Sequence, residues 1–195
     1  MYFASSRRLT LAGARRMMST AMGIAEKENI PITVAIADAG GHLMALERSD
    51  GGRFHTVHSS TTKAVCAASN KRPTTAKGAQ AQVLDTTHAI GLALAAGPER
   101  WTAMEGGYPI IVDGECIGGI GVSGDSSCND HLVAWRTRYN LGLDKLAGVN
   151  GVSGDPTRPD NIVFDITPQA GQMSGVSASG WGHPNCGAGN AAATT

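Results

Sequence analysis

Two stretches of alternating apolar residues, each interrupted by a glycine turn, constrain the fold of this chain most. The first runs from Ile32 to Gly52, where apolar residues lead into Asp38-Ala39-Gly40-Gly41 and resume at His42-Leu43-Met44-Ala45-Leu46. The second runs from Tyr108 to Gly124 around the tight turn Asp113-Gly114-Glu115. Alternation with period two on both sides of a short glycine turn is typical of a β-hairpin. The sequence therefore predicts two antiparallel hairpins.

The segments around the hairpins have helical periodicity instead. Thr10 is a suitable N-cap for a first helix that ends before Asn29 and Pro31. Further helices are predicted from His55 to Asn70, from Thr74 or Thr75 through Val83, from His88 to Ala96, and from Ser126 or Ser127 to about Leu146. The predicted fold class is α/β (α+β): an antiparallel sheet made of two β-hairpins and flanked by helices, in the order α-ββ-αα-ββ-α.

The composition changes after residue 147. From Gly148 onward the chain is rich in Gly, Ser, Ala, Asn and Pro, and only Asn161 to Ile166 has the pattern of a strand. We therefore divide the chain into a domain of residues 1–147 and a C-terminal arm of residues 148–195. Because Phe164, Trp181 and His183 are costly to leave in solvent, we expect the arm to pack on a neighbouring subunit.

The composition limits the kinds of partner that this chain is expected to bind. Sixteen basic residues balance 16 acidic ones among 195 residues, so the chain has no net charge with which to attract nucleic acid. No apolar run approaches membrane-spanning length, and Arg15 and Arg16 interrupt the apolar stretch near the N-terminus, so we expect no membrane contact and no signal peptide. With only 16% charged residues and many small ones, the surface favours a homo-oligomer.

Four cysteines, at positions 66, 116, 128 and 186, form no CxxC pair. Reduced thiols and a cytoplasmic location are therefore expected. Cys128 and His131 lie three residues apart in a predicted helix, a spacing that permits a nucleophilic dyad, although no third residue that would orient the histidine is evident.

Gly119-Ile120-Gly121-Val122-Ser123-Gly124 has the GxGxxG pattern of a dinucleotide-binding loop. The strand before it belongs to a hairpin, whereas a Rossmann unit needs parallel strands joined by a crossover. The residue 20 positions after Gly124 is Asp144, which lies in a predicted helix. A weaker hypothesis remains, in which the turn and the helix start receive a carboxylate.

His55 and His58 are three residues apart at the start of a predicted helix and follow Glu47, Arg48 and Asp50 closely in sequence. Two imidazoles on nearly the same side of a helix can bind a metal or act as an acid and a base. The alternative is that both are polar residues at an exposed helix start.

Residues from about Leu9 to Leu146 resemble the GlcG/HbpS family, which is also called the heme-binding or PduO C-terminal-like family. The resemblance rests on a set of motifs that are specific in combination: Pro31 to Leu43, Glu47 to Gly51, Lys63-Ala64, Arg72-Pro73-Thr74, Gly106 to Ile110 and Gly118 to Gly124. It implies a profilin-like sandwich, assembly into oligomers that are often octamers, and heme binding in some members.

The resemblance also bears on single residues. Lys63 matches the family pattern and is interpreted as a buried cation that fixes a carboxylate, as a Schiff-base amine, or as the structural partner of an acid such as Asp38. Arg72 is a candidate clamp for an anionic ligand. The predicted ligand-binding residues are Asp38, Glu47, Arg48, Lys63, Arg72, Gly121 and Gly124.

Heme iron requires an axial His, Met, Cys or Tyr. Met17, Met18 and Met22 are candidates, although methionines at helical spacing usually fill a core. The leading prediction is an oligomeric heme-binding or small-ligand-binding protein. Its rival is an enzyme on the same fold, acting on a small carboxylated metabolite held by Arg72 and the Gly121 to Gly124 turn, with His55, His58 or Glu105 transferring protons.

Overall fold

A computed structural model describes residues 2, 4–74, 86–125, 130, 133, 134, 136 and 137 of the chain. Its elements follow the order α1 (Leu11–Lys27), β1 (Thr33–Asp38), β2 (Leu43–Arg48), α2 (Thr56–Asn70), α3 (Thr86–Ala96), β3 (Gly107–Val112) and β4 (Glu115–Ser123). Asp130, Val133, Ala134, Arg136 and Thr137 are helical as well. Both predicted hairpins and the helices in these regions are confirmed.

Several predictions lie outside the described residues: the short helix through Val83, the part of the last helix after Thr137, the Cys128–His131 dyad, and the C-terminal arm with its strand Asn161 to Ile166. No helix in the described part of the chain is long and apolar enough to cross a membrane.

The two hairpins join into one sheet of strand order β2-β1-β4-β3, in which every neighbouring pair is antiparallel. Strands β1 and β4 connect the two hairpins, and their register runs from Thr33 opposite Ser123 to Asp38 opposite Gly118. The second hairpin turns through Asp113 (φ 47°) and Gly114 (φ 81°), and two central residues with positive φ are what a two-residue turn of type I′ requires.

Helix α1 covers one face of the sheet. The Thr10 hydroxyl accepts a hydrogen bond from the Gly13 N–H at 3.1 Å, which confirms the predicted N-cap. The buried side of α1, made of Ala14, Met17, Met18, Ala21 and Ala25, lies against β1 and β2 and shares one hydrophobic core with large apolar side chains of the sheet. These are Val34 and Ile36 of β1, Tyr108 and Ile110 of β3, and Ile120 and Val122 of β4. Val133 and Ala134 belong to the same core.

Helix α2 covers the opposite face, where the residues are small. Ala35 and Ala37 of β1 pack against Ala64 of α2. A Cβ atom on Gly119 would lie 2.1 Å from the Ala64 carbonyl oxygen, and one on Gly121 would lie 2.0 Å from that of Ser60. These two glycines therefore let the helix backbone approach the sheet, and they give the GxGxxG pattern a packing role. The antiparallel pairing of β4 also differs from the parallel strands of a dinucleotide-binding fold.

Candidate functional site

One end of the sheet brings together parts of both helical layers. The antiparallel register places the start of β1, the end of β2 and the end of β4 side by side, with Thr33 opposite both Arg48 and Ser123. The start of α2 is bonded to this end: the Thr33 and Thr56 hydroxyl oxygens are 2.6 Å apart, and those of Ser59 and Ser123 are 2.7 Å apart. We call this the α2-start end of the sheet.

Two adjoining cavities open at this end, and together we call them the sheet-end cleft. The larger cavity, of about 570 Å³, is lined by Met22, Ala25, Glu26, Asn29, Ile30, Pro31, Ser49, Asp50 and Gly51. The smaller cavity, of about 150 Å³, is lined by Ile30, Pro31, Gly51, Arg53, Gly124 and Asp125. Ile30, Pro31 and Gly51 line both cavities, so the two lie side by side.

The cleft arises from the way in which α1 ends. Asn29 adopts a left-handed conformation (φ 54°), and the Ile30 N–H donates to the Ala25 carbonyl at 2.9 Å. This reversal turns the chain towards β1 and exposes the last turn of the helix as one wall of the cleft. On the opposite wall, the Ser49 hydroxyl accepts from the Ile32 N–H at 2.9 Å and donates to the Ile32 carbonyl at 3.1 Å.

The third wall is the turn after β4. Gly124 has φ +156°, and a Cβ atom there would lie 2.4 Å from the Pro31 carbonyl oxygen. Only a residue without a side chain permits this close approach between the end of β4 and the start of β1. Backbone contact therefore fixes the smaller cavity on this side.

The lining combines an apolar floor with a polar rim. Met22 is half-buried against the core, and Ala25, Ile30 and Pro31 extend its apolar surface. The lining of the larger cavity includes the acidic residues Glu26 and Asp50, and that of the smaller cavity includes basic Arg53 and acidic Asp125. Such a cleft can hold an apolar ligand while contacting its polar edge.

Among the predicted site residues, Gly124 lines the cleft, and Glu47 and Arg48 lie beside it. Both of these side chains are exposed at the end of β2, and Arg48 Nη1 donates to the Gly52 carbonyl at 3.1 Å. This bond holds the loop that carries Gly51 and Arg53. The Glu47 to Gly51 motif therefore overlaps the lining of the cleft at Ser49, Asp50 and Gly51, whereas Glu47 and Arg48 lie outside it.

His55 and His58 are both exposed at the start of α2 and lie outside the lining of both cavities. His55 occupies the N-cap position, and its ring packs edge-to-face on the exposed ring of Phe54 at a centroid distance of 5.8 Å. Across the part of the chain that the structure describes, no group of three or more His, Cys, Asp or Glu residues is placed to hold a metal ion. The predicted metal site stays a prediction.

Lys63 is buried, with 2% of its surface exposed, and is bonded to acidic Asp130 rather than to Asp38. Its Nζ donates to Asp130 Oδ2 at 2.9 Å, to the Val122 carbonyl at 2.8 Å and to the Ser123 hydroxyl at 3.4 Å. Of the interpretations of Lys63, pairing with an acidic residue is the one found, although the acid is Asp130 and not Asp38. Asp38 instead caps the turn of the first hairpin, where its Oδ1 accepts from the N–H groups of Gly40 and His42 at 2.8 and 2.9 Å.

The remaining predicted residues lie elsewhere in the fold. Helix α2 runs antiparallel to β4, since Ser60 lies over Gly121 whereas the Ala68 carbonyl is 3.6 Å from Cys116 Sγ. Arg72 follows the far end of α2, so this helix of 15 residues, about 22 Å long, separates it from His55. Gly121 lies beneath α2, and half-buried Glu105 precedes β3.

Among the described residues, Cys66 and Cys116 form no disulfide with each other. Burial raises the pKa of the Cys66 thiol on α2, which makes it a poor nucleophile. Cys128 and His131, the predicted dyad, lie outside the described residues.

Sequence reasoning assigned no site role to Asn29, Arg53 or Asp130. The sequence predicts that the first helix ends before Asn29. Because Asn is one of the few residues that readily adopt the left-handed conformation found there, it could also have indicated the chain reversal. Asp130 gave no local signal, because it lies 67 residues from Lys63 in sequence.

Comparison with known proteins finds a matching family and several similar structures. Residues 9–137 match the family described as "Haem degrading protein HbpS-like". Protein GlcG of Escherichia coli strain K12 is 39% identical over 99 residues, which are 51% of this chain and 69% of GlcG. Klebsiella pneumoniae protein ORFY is similar in structure, with a TM-score of 0.63 and 27% identity over 74% of this chain and 99% of that chain. A double mutant of Streptomyces reticuli HbpS gives a TM-score of 0.61 and 29% identity over 72% of this chain and 91% of that chain.

Proposed function

Because this chain belongs to the HbpS-like family, we propose that it is a heme-binding protein and that the sheet-end cleft is its ligand site. The family description supports the class of ligand, and the cleft supports the place. At about 570 Å³, the larger cavity is within the range of small-molecule and cofactor sites.

The observation that carries the proposal is the placement of Met22. Met17 and Met18 are each only 1% exposed and belong to the core, as methionines at helical spacing usually do. Met22, on the same helix, lines the cleft instead. The chemistry of this lining fits a heme: the Met22 thioether would supply a donor to the iron, and the apolar floor would contact the macrocycle.

When bound, heme supplies an iron centre that accepts an axial donor and changes oxidation state. The chain itself positions the group and limits its access to water. Ala25, Ile30 and Pro31 provide apolar contact for the ring, and Met22 provides the sulfur. Asn29 and Ser49 offer polar contacts at the rim, and the Arg53 guanidinium offsets the negative charge of a carboxylate.

Since the cleft is open on one side, we also propose that a second copy of the chain helps to enclose the ligand. Helix α3 supports homo-oligomer formation, because its Ile90 and Leu94 side chains are 55% and 78% exposed and no residue of this helix is charged. Sedimentation at micromolar concentration tests this part: a single species near 20.0 kDa would reject it.

Hemin titration of the purified protein tests the proposed ligand and site. We expect a shifted Soret band that saturates at one hemin per chain or per pair of chains. Met22→Leu preserves volume and removes the sulfur, so it should weaken hemin binding and abolish any spectroscopic signature of a thioether–iron bond. The matched control is Met18→Leu in the core, which should keep the wild-type spectrum.

Two results would count against this assignment. A Met22→Leu protein with wild-type affinity and spectrum would remove Met22 from the site. Loss of binding in His55→Ala/His58→Ala, with Met22→Leu unaffected, would instead support the predicted histidine site at the start of α2.

The enzyme prediction is less well supported by the geometry. It combines Arg72 and the Gly121 to Gly124 turn with His55, His58 or Glu105, and helix α2 places Arg72 after its far end from the two histidines.

A further inference from the structure

A buried ion pair links the two faces of the sheet near the cleft. Lys63 belongs to α2 on the face of small residues, and Asp130 precedes Val133 and Ala134, which pack in the core on the α1 face. The two side chains are only 2% and 3% exposed, and their charged atoms are 2.9 Å apart. The pair therefore joins elements that otherwise contact opposite sides of the sheet.

The network continues from this pair to the wall of the cleft. Asp130 uses both carboxylate oxygens: Oδ2 accepts from Lys63, and Oδ1 accepts from the backbone N–H of Asp125 at 3.1 Å. Asp125 and its neighbour Gly124 line the smaller cavity. One continuous set of hydrogen bonds thus runs from the middle of α2 to a ligand-facing backbone segment.

The surroundings of the pair leave little freedom. Gly106 has φ +118°, and a Cβ atom there would lie 2.9 Å from Lys63 Nζ and 2.9 Å from Asp130 Cβ. Lys63 also donates to the Val122 carbonyl and the Ser123 hydroxyl, which immediately precede Gly124. Both sides of the Gly124–Asp125 turn are therefore attached to the same ion pair.

Stability alone does not account for such an arrangement. Apolar residues of similar volume often replace a buried ion pair without loss of stability, because the desolvation of two charges offsets their attraction. What apolar residues do not supply is an acceptor for the Asp125 N–H and a donor for the Val122 carbonyl.

We propose that Lys63 and Asp130 are positioning residues, which set the place of the Gly124–Asp125 wall and thereby the affinity of the sheet-end cleft for its ligand. For the identity of the ligand, this proposal rests on the proposed function. Neither residue contacts the ligand, since both are enclosed by protein.

The test compares Lys63→Met with the double variant Lys63→Met/Asp130→Leu. The control is Arg7→Met, which removes an exposed ion pair between Arg7 Nη2 and Asp113 Oδ2 (2.9 Å) and should behave as the wild type in all three measurements. Each variant is examined by urea unfolding, hemin titration and amide hydrogen exchange. Lys63→Met leaves a buried carboxylate without its partner, so its urea midpoint should fall. The double variant should recover most of that midpoint.

The decisive measurements are the hemin affinity and the Asp125 exchange rate of the double variant. We expect its hemin affinity to stay at least about 10-fold weaker, and its Asp125 amide to exchange at least about 10-fold faster, than in the wild type. The amides of Val34 and Ile120 in the central strands should exchange as in the wild type. A double variant with recovered stability, wild-type affinity and slow exchange at Asp125 would overturn the proposal.

A further variant decides the matter if the double variant does not fold. Asp130→Asn replaces one of the two accepting carboxylate oxygens with an NH2 group. In either orientation of the amide, this NH2 group faces a donor and disrupts the network, so exchange at Asp125 should accelerate. Unchanged exchange would overturn the proposal. If the wild type binds no hemin, the proposed function fails, whereas the exchange data still judge the positioning role.

Discussion

The two faces of the sheet are packed by different means. On the α1 face, large apolar side chains meet, among them Met17, Met18 and Ile36, each at most 1% exposed. On the α2 face, alanine and glycine let backbones touch, and hydroxyl groups of Thr33, Thr56, Ser59 and Ser123 form hydrogen bonds between helix and sheet. Strand β1 contributes to both, because successive residues point to opposite faces.

This difference predicts unequal tolerance to substitution. Side chains on the α1 face can adjust their rotamers around a volume-conserving change. On the α2 face, the contact atoms belong to the backbone of the helix, which cannot move without disturbing the whole interface. The α1 face therefore contributes mainly apolar burial, and the α2 face fixes the geometry of the sheet end and its cleft.

The largest effect is expected at Gly121, where a side chain would meet the backbone of α2. A Cβ atom would lie 2.0 Å from the Ser60 carbonyl oxygen and 2.5 Å from the Ala64 nitrogen. Gly121→Val should lower the free energy of unfolding by at least about 3 kcal/mol, or prevent folding. Urea unfolding followed by circular dichroism measures this.

The matched control is Gly23→Ala in α1, where a Cβ atom meets nothing within 4 Å. Alanine favours helix over glycine, so this variant should be as stable as the wild type or more stable by about 0.5–1 kcal/mol. Near-wild-type stability of Gly121→Val would show that the α2 face can relax, and the contrast between the faces would fail.

An intermediate effect is expected from Thr33→Val, which keeps shape but removes a hydroxyl group. The Thr56 hydroxyl donates to the Arg53 carbonyl, so in the buried pair the Thr33 hydroxyl donates to Thr56 Oγ1. Loss of this hydrogen bond should lower the free energy of unfolding by about 1 kcal/mol.

Thr20→Val in α1 serves as the comparison, because its hydroxyl bonds only within its own helix, to the Arg16 carbonyl. This surface change should stay within about 0.5 kcal/mol of the wild type. If Thr33→Val is no less stable than the Thr20 variant, backbone contact alone holds the α2 face.

The smallest effect is expected at Asp38, which lies at the hairpin turn and outside both faces. The backbone N–H of His42 lowers the pKa of the Asp38 carboxyl below its ordinary value of 3.8. The folded state thus favours the ionised form, so the stabilisation is present above about pH 3.8 and is lost as the pH falls through the folded-state pKa.

Because the Asp38 side chain is 36% exposed and screened by solvent, Asp38→Asn should cost no more than about 0.5 kcal/mol at pH 7. The difference between variant and wild type should shrink below pH 3.8 in unfolding experiments. A difference that grows on acidification would contradict the assigned direction of the shift.

Local patterns were sufficient to predict most of the fold. Alternation identified both hairpins, and the apolar spacing after Thr10 identified α1 with its N-cap. The strand order was not predictable in this way, because the pairing of β1 with β4 depends on packing between distant segments. The resemblance to a known family supplied the class of fold.

The site was predictable only in part, for the same reason. The Glu47 to Gly51 motif and Gly124 led to the cleft, and Met22 was among the proposed axial donors. His55 and His58 were predicted as site residues because imidazole can bind a metal or transfer a proton, yet an exposed helix start explains both residues equally well. Which acid pairs with Lys63 depends on the tertiary fold, and no spacing in the sequence encodes it.

The strand order also has a consequence for the rate of folding. Each hairpin closes a short loop. The central pairing of Thr33 with Ser123, in contrast, closes a loop that contains most of the described chain, and the entropy cost of that closure comes before the stabilising contacts form. We therefore expect the hairpins to form early and their junction to limit the rate. Since α2 lies across β1 and β4, the glycines beneath it belong to this late step. The kinetic barrier and the sheet-end cleft therefore both depend on the junction of β1 with β4.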